Sequence, residues 1–190
     1  MNVLLIAATV LFQQRAPIVP QSTDTSPVGV SRQAITDLSL RVAEVRSGDD
    51  QLRREVFNGT GASVMDRGRL QQQRCADLAA AARATTARVC RACFPPNVQR
   101  AMNQYRAALP SVVRTGTRCA AALARDLRAD PSGSAVRQHR PTLARTIQQG
   151  LLPYENAIHA VRLALGLEVP VSVLRGQPPA AAQTPRRPGT

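Results

Sequence analysis

The chain has 190 residues, 44% of them hydrophobic and only 3% aromatic, with a formal net charge of +13. That length fits one domain with tails, and an apolar set rich in Ala, Leu and Val suits closely packed helices better than strands, which favour aromatic and β-branched residues. All 25 basic residues are arginine, and they are scattered along the chain, which excludes a simple basic tail and predicts attraction to an anionic partner.

The N-terminus carries an apolar run of ten residues, Val3 to Phe12. At ~1.5 Å per residue it reaches about 15 Å, half of a ~30 Å hydrocarbon core. It is too short to span a membrane and suits the apolar region of a signal peptide. Residues 1–16 therefore read as a signal peptide or short apolar anchor. Two features depart from that pattern: no Lys or Arg precedes the run, and no clean A-x-A cleavage site follows it. Residues 17–30 mix Pro, Ser, Thr and Gly without period and read as a flexible linker. Residues 168–190 hold five prolines and read as a disordered Pro/Ala-rich tail.

Between these segments, residues 31–167 are helical by period. A first helix is predicted from Ser31 as N-cap, with Ile35, Leu38, Val42 and Val45 on one face. Gly48 is expected to interrupt it and Asp49 to cap a second piece. Leu52, Val56 and Phe57 continue the stripe until the glycines of Asn58-Gly59-Thr60-Gly61 end it through a left-handed cap. A second helix is predicted from about Ala62 to Cys93, with Gln71, Cys75, Leu78, Ala82, Thr85, Val89 and Ala92 inward. Pro95 and Pro96 stop it.

The third helix is predicted from about Asn97 to Arg128, on a stripe running from Val98 through Tyr105, Val112 and Cys119 to Leu123. Pro110 should bend it. Asp130-Pro131-Ser132-Gly133 reads as a turn. A fourth helix then runs to about Gly166, with Pro141 and Pro153 breaking or kinking it. Four matched segments with short turns predict an all-α fold, an antiparallel four-helix bundle of up-down-up-down order. The rival arrangement is a long hairpin of the second and third helices with the other two packed loosely.

The short turn makes the second and third helices antiparallel neighbours. Folding at Pro96-Asn97 makes facing residue numbers sum to about 194. Cys75 then faces Cys119, Leu78 faces Gly116, Ala82 faces Val112 and Thr85 faces Leu109. Large meets small at several levels, which permits close approach. A Cys75–Cys119 disulfide follows, and Cys90 and Cys93, one helical turn apart, form the second pair. The other two pairings would tie a mid-helix cysteine to the hairpin tip.

Other chemistry for Cys90-Arg91-Ala92-Cys93 lacks partners. Haem attachment needs a histidine where Phe94 stands. Zinc needs four ligands, whereas no second C-x-x-C exists and His139 and His159 are distant in sequence. No glutamate has a histidine three residues later, as di-iron bundles require. Glu155 with His159 reads as a solvated helix pair, and His139 beside Arg140 as exposed. No catalytic residue, metal ligand or cofactor is assigned, and the chain is not read as an enzyme.

From Arg67 to Arg125 there are eleven arginines and one acid, Asp77. Arg83, Arg88, Arg100 and Arg106 bracket the hairpin tip and are the candidate residues for an anionic partner. The leading expectation is an exported, disulfide-stapled binding or scaffold protein of the bacterial envelope, periplasmic or secreted, or an accessory subunit of a larger membrane assembly. Its partner would be an anionic envelope component, such as lipid headgroups, or an acidic protein subunit. The alternatives are an intracellular basic helical protein that binds nucleic acid and a cysteine-based redox or metal protein. Nucleic acid is less favoured because five aromatics offer little for base stacking.

Overall fold

The computed structural model describes residues 24–165. The apolar N-terminal run, the first half of the predicted linker and the Pro-rich tail lie outside the described residues. The described chain forms four helices: α1 (Pro27–Asn58), α2 (Gly61–Arg88), α3 (Pro96–Ala129) and α4 (Ser134–Ala164). They pack against one another as an all-α bundle without strands among the described residues. No helix among the described residues is long and apolar enough to cross a membrane.

Each helix begins for a local reason. Ser26 caps α1 by accepting the Gly29 N–H at 3.0 Å, and Pro27 sets the first turn. The helix thus starts four residues before Ser31, and the end of the predicted linker belongs to it. Thr60 caps α2 by accepting the Ser63 N–H at 3.2 Å. Before α4, the Asp130 carboxylate accepts the N–H groups of Ser132 and Ser134 and both their hydroxyls. Those hydrogen bonds, Ser134's first, hold Asp130 well below the usual carboxylate range. Gly133, with φ of 78°, takes the left-handed turn that a side chain would strain.

The expected apolar stripes are the core. Leu38, Val45, Leu52, Leu78, Met102, Leu109, Ile147 and Leu151 are fully buried, and Tyr105 and Tyr154 pack ring to ring at 5.6 Å. Several boundaries differ from expectation. Gly48 does not interrupt α1, because one glycine inside a long helix costs only ~1 kcal/mol. The space its missing Cβ leaves is taken by Gln71 and Arg74 of α2. Gly59 ends α1 with φ of −90°, an extended cap and not a left-handed one. Phe57 lies off the stripe and is 79% exposed. Helix α4 continues through Pro141 and Pro153.

Cross-contacts show that α1 and α2 run in opposite directions. Thr85 donates to the Ala34 carbonyl while Gln71 donates to that of Val45, so numbers rise on α1 as they fall on α2. Thr85, expected opposite Leu109, is therefore engaged with α1. On α2 and α3, Cys75 pairs with Cys119, their Cα atoms 5.8 Å apart. Gly116 packs on the turn of α2 that runs from Cys75 to Ala79. A Cβ there would lie 2.6 Å from the Cys75 carbonyl oxygen and 2.9 Å from the Ala79 nitrogen, so glycine is what lets the two backbones come this close.

Candidate functional site

The hairpin tip departs from the predicted helix. Helix α2 ends at Arg88, and residues 89–95 form a loop. Val89 and Phe94 turn into the core, while Ala92, expected inward, is exposed. The Cys90 N–H donates to the Ser31 hydroxyl at 2.9 Å, which docks the tip on the start of α1. Burying two apolar side chains on either side of a tight link competes successfully with one further helical turn. Cys90 and Cys93 are paired, with Cα atoms 5.9 Å apart, but across this loop and not along a helix. Two cysteine pairs at disulfide distance fit an oxidising environment. Among the described residues, no group of three His, Cys, Asp or Glu side chains could hold a metal ion.

Of the four candidate arginines, Arg83, Arg88 and Arg100 are exposed and Arg106 is half-buried. None of the four forms an ion pair among the described residues. They do not share one setting. Arg88 lines a groove between α1 and α2 together with Asp37, Arg41 and Glu44. The carboxylates of α1 thus stand beside the hairpin's α2 edge, and the acid-poor stretch seen along the sequence is not acid-poor in space there.

The charge divides by helix pair. Residues 24–88, which hold α1 and α2, carry ten arginines and eight carboxylates; residues 96–164, which hold α3 and α4, carry ten arginines and three carboxylates. Those three are already engaged. Asp126 is buried and meets the His139 Nδ1 at 3.0 Å and Arg125 at 3.5 Å. Asp130 serves the turn before α4. Glu155 accepts from Arg46 of α1 at 2.6 Å, a bridge between helices.

Two grooves run between α3 and α4 and meet at Arg118 and Thr146. One is lined by Ser111, Arg114, Thr115, Arg118, Thr146, Gln149 and Gly150. The other adds Arg125, Asp126, His139 and Thr142. Sequence reading counted Arg114, Arg118 and Arg125 among the hairpin's arginines without singling them out. Their spacing of four and seven places them on one face of α3, and Thr142, Thr146 and Gln149 repeat such a spacing on α4. That paired periodicity was the available signal. Arg140 is buried and donates to the Asp49 carboxylate at 3.0 Å, while His139 beside it is exposed as expected. Burial pushes Asp49 above its ordinary value, against the lowering influence of Arg140.

No family model, curated protein or solved structure matches this chain. The functional reading therefore rests on its own residues.

Proposed function

We propose that this protein is a non-enzymatic binding or scaffold module of the bacterial envelope that engages an anionic partner through its α3–α4 half. The observation that carries this reading is the imbalance on that half of ten arginines, all but the buried Arg140 reaching its surface in part or in full, against three engaged carboxylates. A surface of that kind raises the local concentration of anions and orients the protein toward them. Paired cysteines suit an oxidising compartment outside the cytoplasm, and the apolar N-terminal run supports export. Anionic lipid headgroups or an acidic subunit of a membrane assembly are the partners available there.

The test is co-sedimentation with anionic and with neutral vesicles. Replacing Arg100, Arg106 and Arg145 with Gln should weaken anionic-vesicle binding while helicity is kept. Replacing Arg32, Arg83 and Arg88, an equal charge removed from the α1–α2 half, should weaken it much less. Binding should fall as salt rises, since the Debye length drops from about 10 Å at 0.1 M to about 3 Å at 1 M. Equal loss from both triples would mean that net charge, not this half, does the binding. A parallel mobility-shift assay with nucleic acid separates the alternative partner.

A further inference from the structure

We infer that the joined α3–α4 groove is a binding site for an elongated oligophosphate anion, with Arg118 at its centre. This inference rests on the reading of the α3–α4 half as the anion-binding face. Three observations converge on it. Arg114 and Arg118 are exposed, have no ion pair among the described residues, and line the same groove. Arg118 and Thr146 line both grooves, so the two depressions adjoin. Their volumes are about 240 and 290 Å³, each small beside the ~300–1,000 Å³ of ordinary small-molecule pockets, and an elongated occupant laid along both would meet all three arginines.

The donors are spread to match a line of charges. At ~1.5 Å rise per residue, Arg118 lies about 6 Å from Arg114 and about 10 Å from Arg125 along the axis of α3. A single phosphate can bridge Arg114 and Arg118 but cannot also reach Arg125. A chain of linked phosphates can. Guanidinium groups suit phosphate because their paired N–H donors match two oxygens at once. On the opposite wall, Gln149 offers a neutral amide, and His139, whose Nδ1 meets Asp126, also lines the groove. The Asp126 carboxylate is 6% exposed and engaged by both His139 and Arg125, so it opposes an incoming anion weakly. Ser111 and Thr115 are structural here, since their hydroxyls donate to the carbonyls of Gly150 and Ser111.

The experiment is isothermal titration of the protein with tripolyphosphate and, separately, with orthophosphate. Tripolyphosphate should bind more tightly than orthophosphate. Arg118→Gln should weaken it by about tenfold or more, the loss of one charge-assisted contact, and Arg118→Lys by less. Arg88→Gln should leave it unchanged. Because Arg118 is exposed and unpaired, unchanged helicity and melting temperature are expected for each variant. Absence of tripolyphosphate binding, or equal loss from Arg118→Gln and Arg88→Gln, would overturn the site. If anionic vesicles still bind in that event, the groove is wrong and the proposed function stands. Tripolyphosphate binding through Arg118 with no vesicle binding would sustain the groove and overturn lipid headgroups as the partner.

Discussion

Two seams of the bundle are built on opposite principles. Between α2 and α3 the backbones close on Gly116, a buried disulfide crosses from Cys75 to Cys119, and the neighbours are Ala and Leu. Between α1 and α4 the close approach is much shorter, and polar side chains reach across it. Ser39 meets the Tyr154 hydroxyl at 3.0 Å, Arg46 meets Glu155, Arg140 meets Asp49, and Arg137 donates to the carbonyls of Val56 and Gly59 at the end of α1. The first seam excludes water and relies on shape. The second leaves room that long side chains fill, and it satisfies carbonyls that a helix end leaves open. The difference teaches which contacts should matter for stability: those that are dry, close and covalent on one side, against those that trade hydration for charge on the other.

The largest expected effect comes from the tight seam. Replacing Cys75 and Cys119 together with Ala should cost ~2–5 kcal/mol, because their link closes a long loop in the unfolded chain. Replacing Cys90 and Cys93 together should cost less, because they lie only three residues apart. Urea unfolding of the two double variants checks this. A negligible loss on replacing Cys75 and Cys119 would show that the α2–α3 seam does not depend on its central link.

These seams were unequally legible in the sequence. The α2–α3 register followed from one short turn and one sum, and it placed Cys75 on Cys119 because antiparallel neighbours with a tight connection have little freedom to slip. The α1–α4 seam had no such constraint. Nothing in the spacing of Arg46, Asp49, Arg140 or Glu155 says which of them meet, since their partners are 91 and 109 residues away. The surroundings of the basic residues were hidden for a related reason. Counting along the α2–α3 hairpin missed Asp37 and Glu44, which α1 brings beside Arg88. It also passed over Arg114 and Arg118, whose meaning depends on Thr146 and Gln149 across a different seam. At the tip, two prolines marked a stop but not where the helix would leave off. Burial of Val89 and Phe94 decided that.

A middle-sized effect is expected at Arg140. Arg140→Met would leave Asp49 with its side chain 16% exposed and no cation to pair with. That should cost about 1–3 kcal/mol at neutral pH, less than the ~3–5 kcal/mol of a fully enclosed pair. The pH dependence follows from the raised Asp49 value. Where a carboxyl titrates higher in the folded chain than in the unfolded one, the folded chain binds more protons in between, and stability falls as pH rises through that window. Removing Arg140 removes a lowering influence and widens the window. The deficit of Arg140→Met should therefore shrink as pH drops toward the ordinary Asp value of about 3.9. A deficit that is flat with pH would mean that lost packing, and not the stranded carboxylate, is the cause.

The smallest expected effect is at the outer edge of the same seam. Arg46 and Glu155 have side chains 35% and 36% exposed, and both guanidinium contacts, at 2.6 and 3.0 Å, fall on one carboxylate oxygen, Oε1. Water reaches both partners, so their attraction is screened and the entropy of fixing two long side chains offsets much of it. A double-mutant cycle with Arg46→Ala and Glu155→Ala should give a coupling of ~0.2–1 kcal/mol, falling toward zero at 1 M salt as the Debye length shortens to about 3 Å. A coupling that exceeds this range and survives high salt would mean that the α1–α4 seam is as dry as the α2–α3 seam. The contrast between shape and charge would then be the wrong way to divide this bundle.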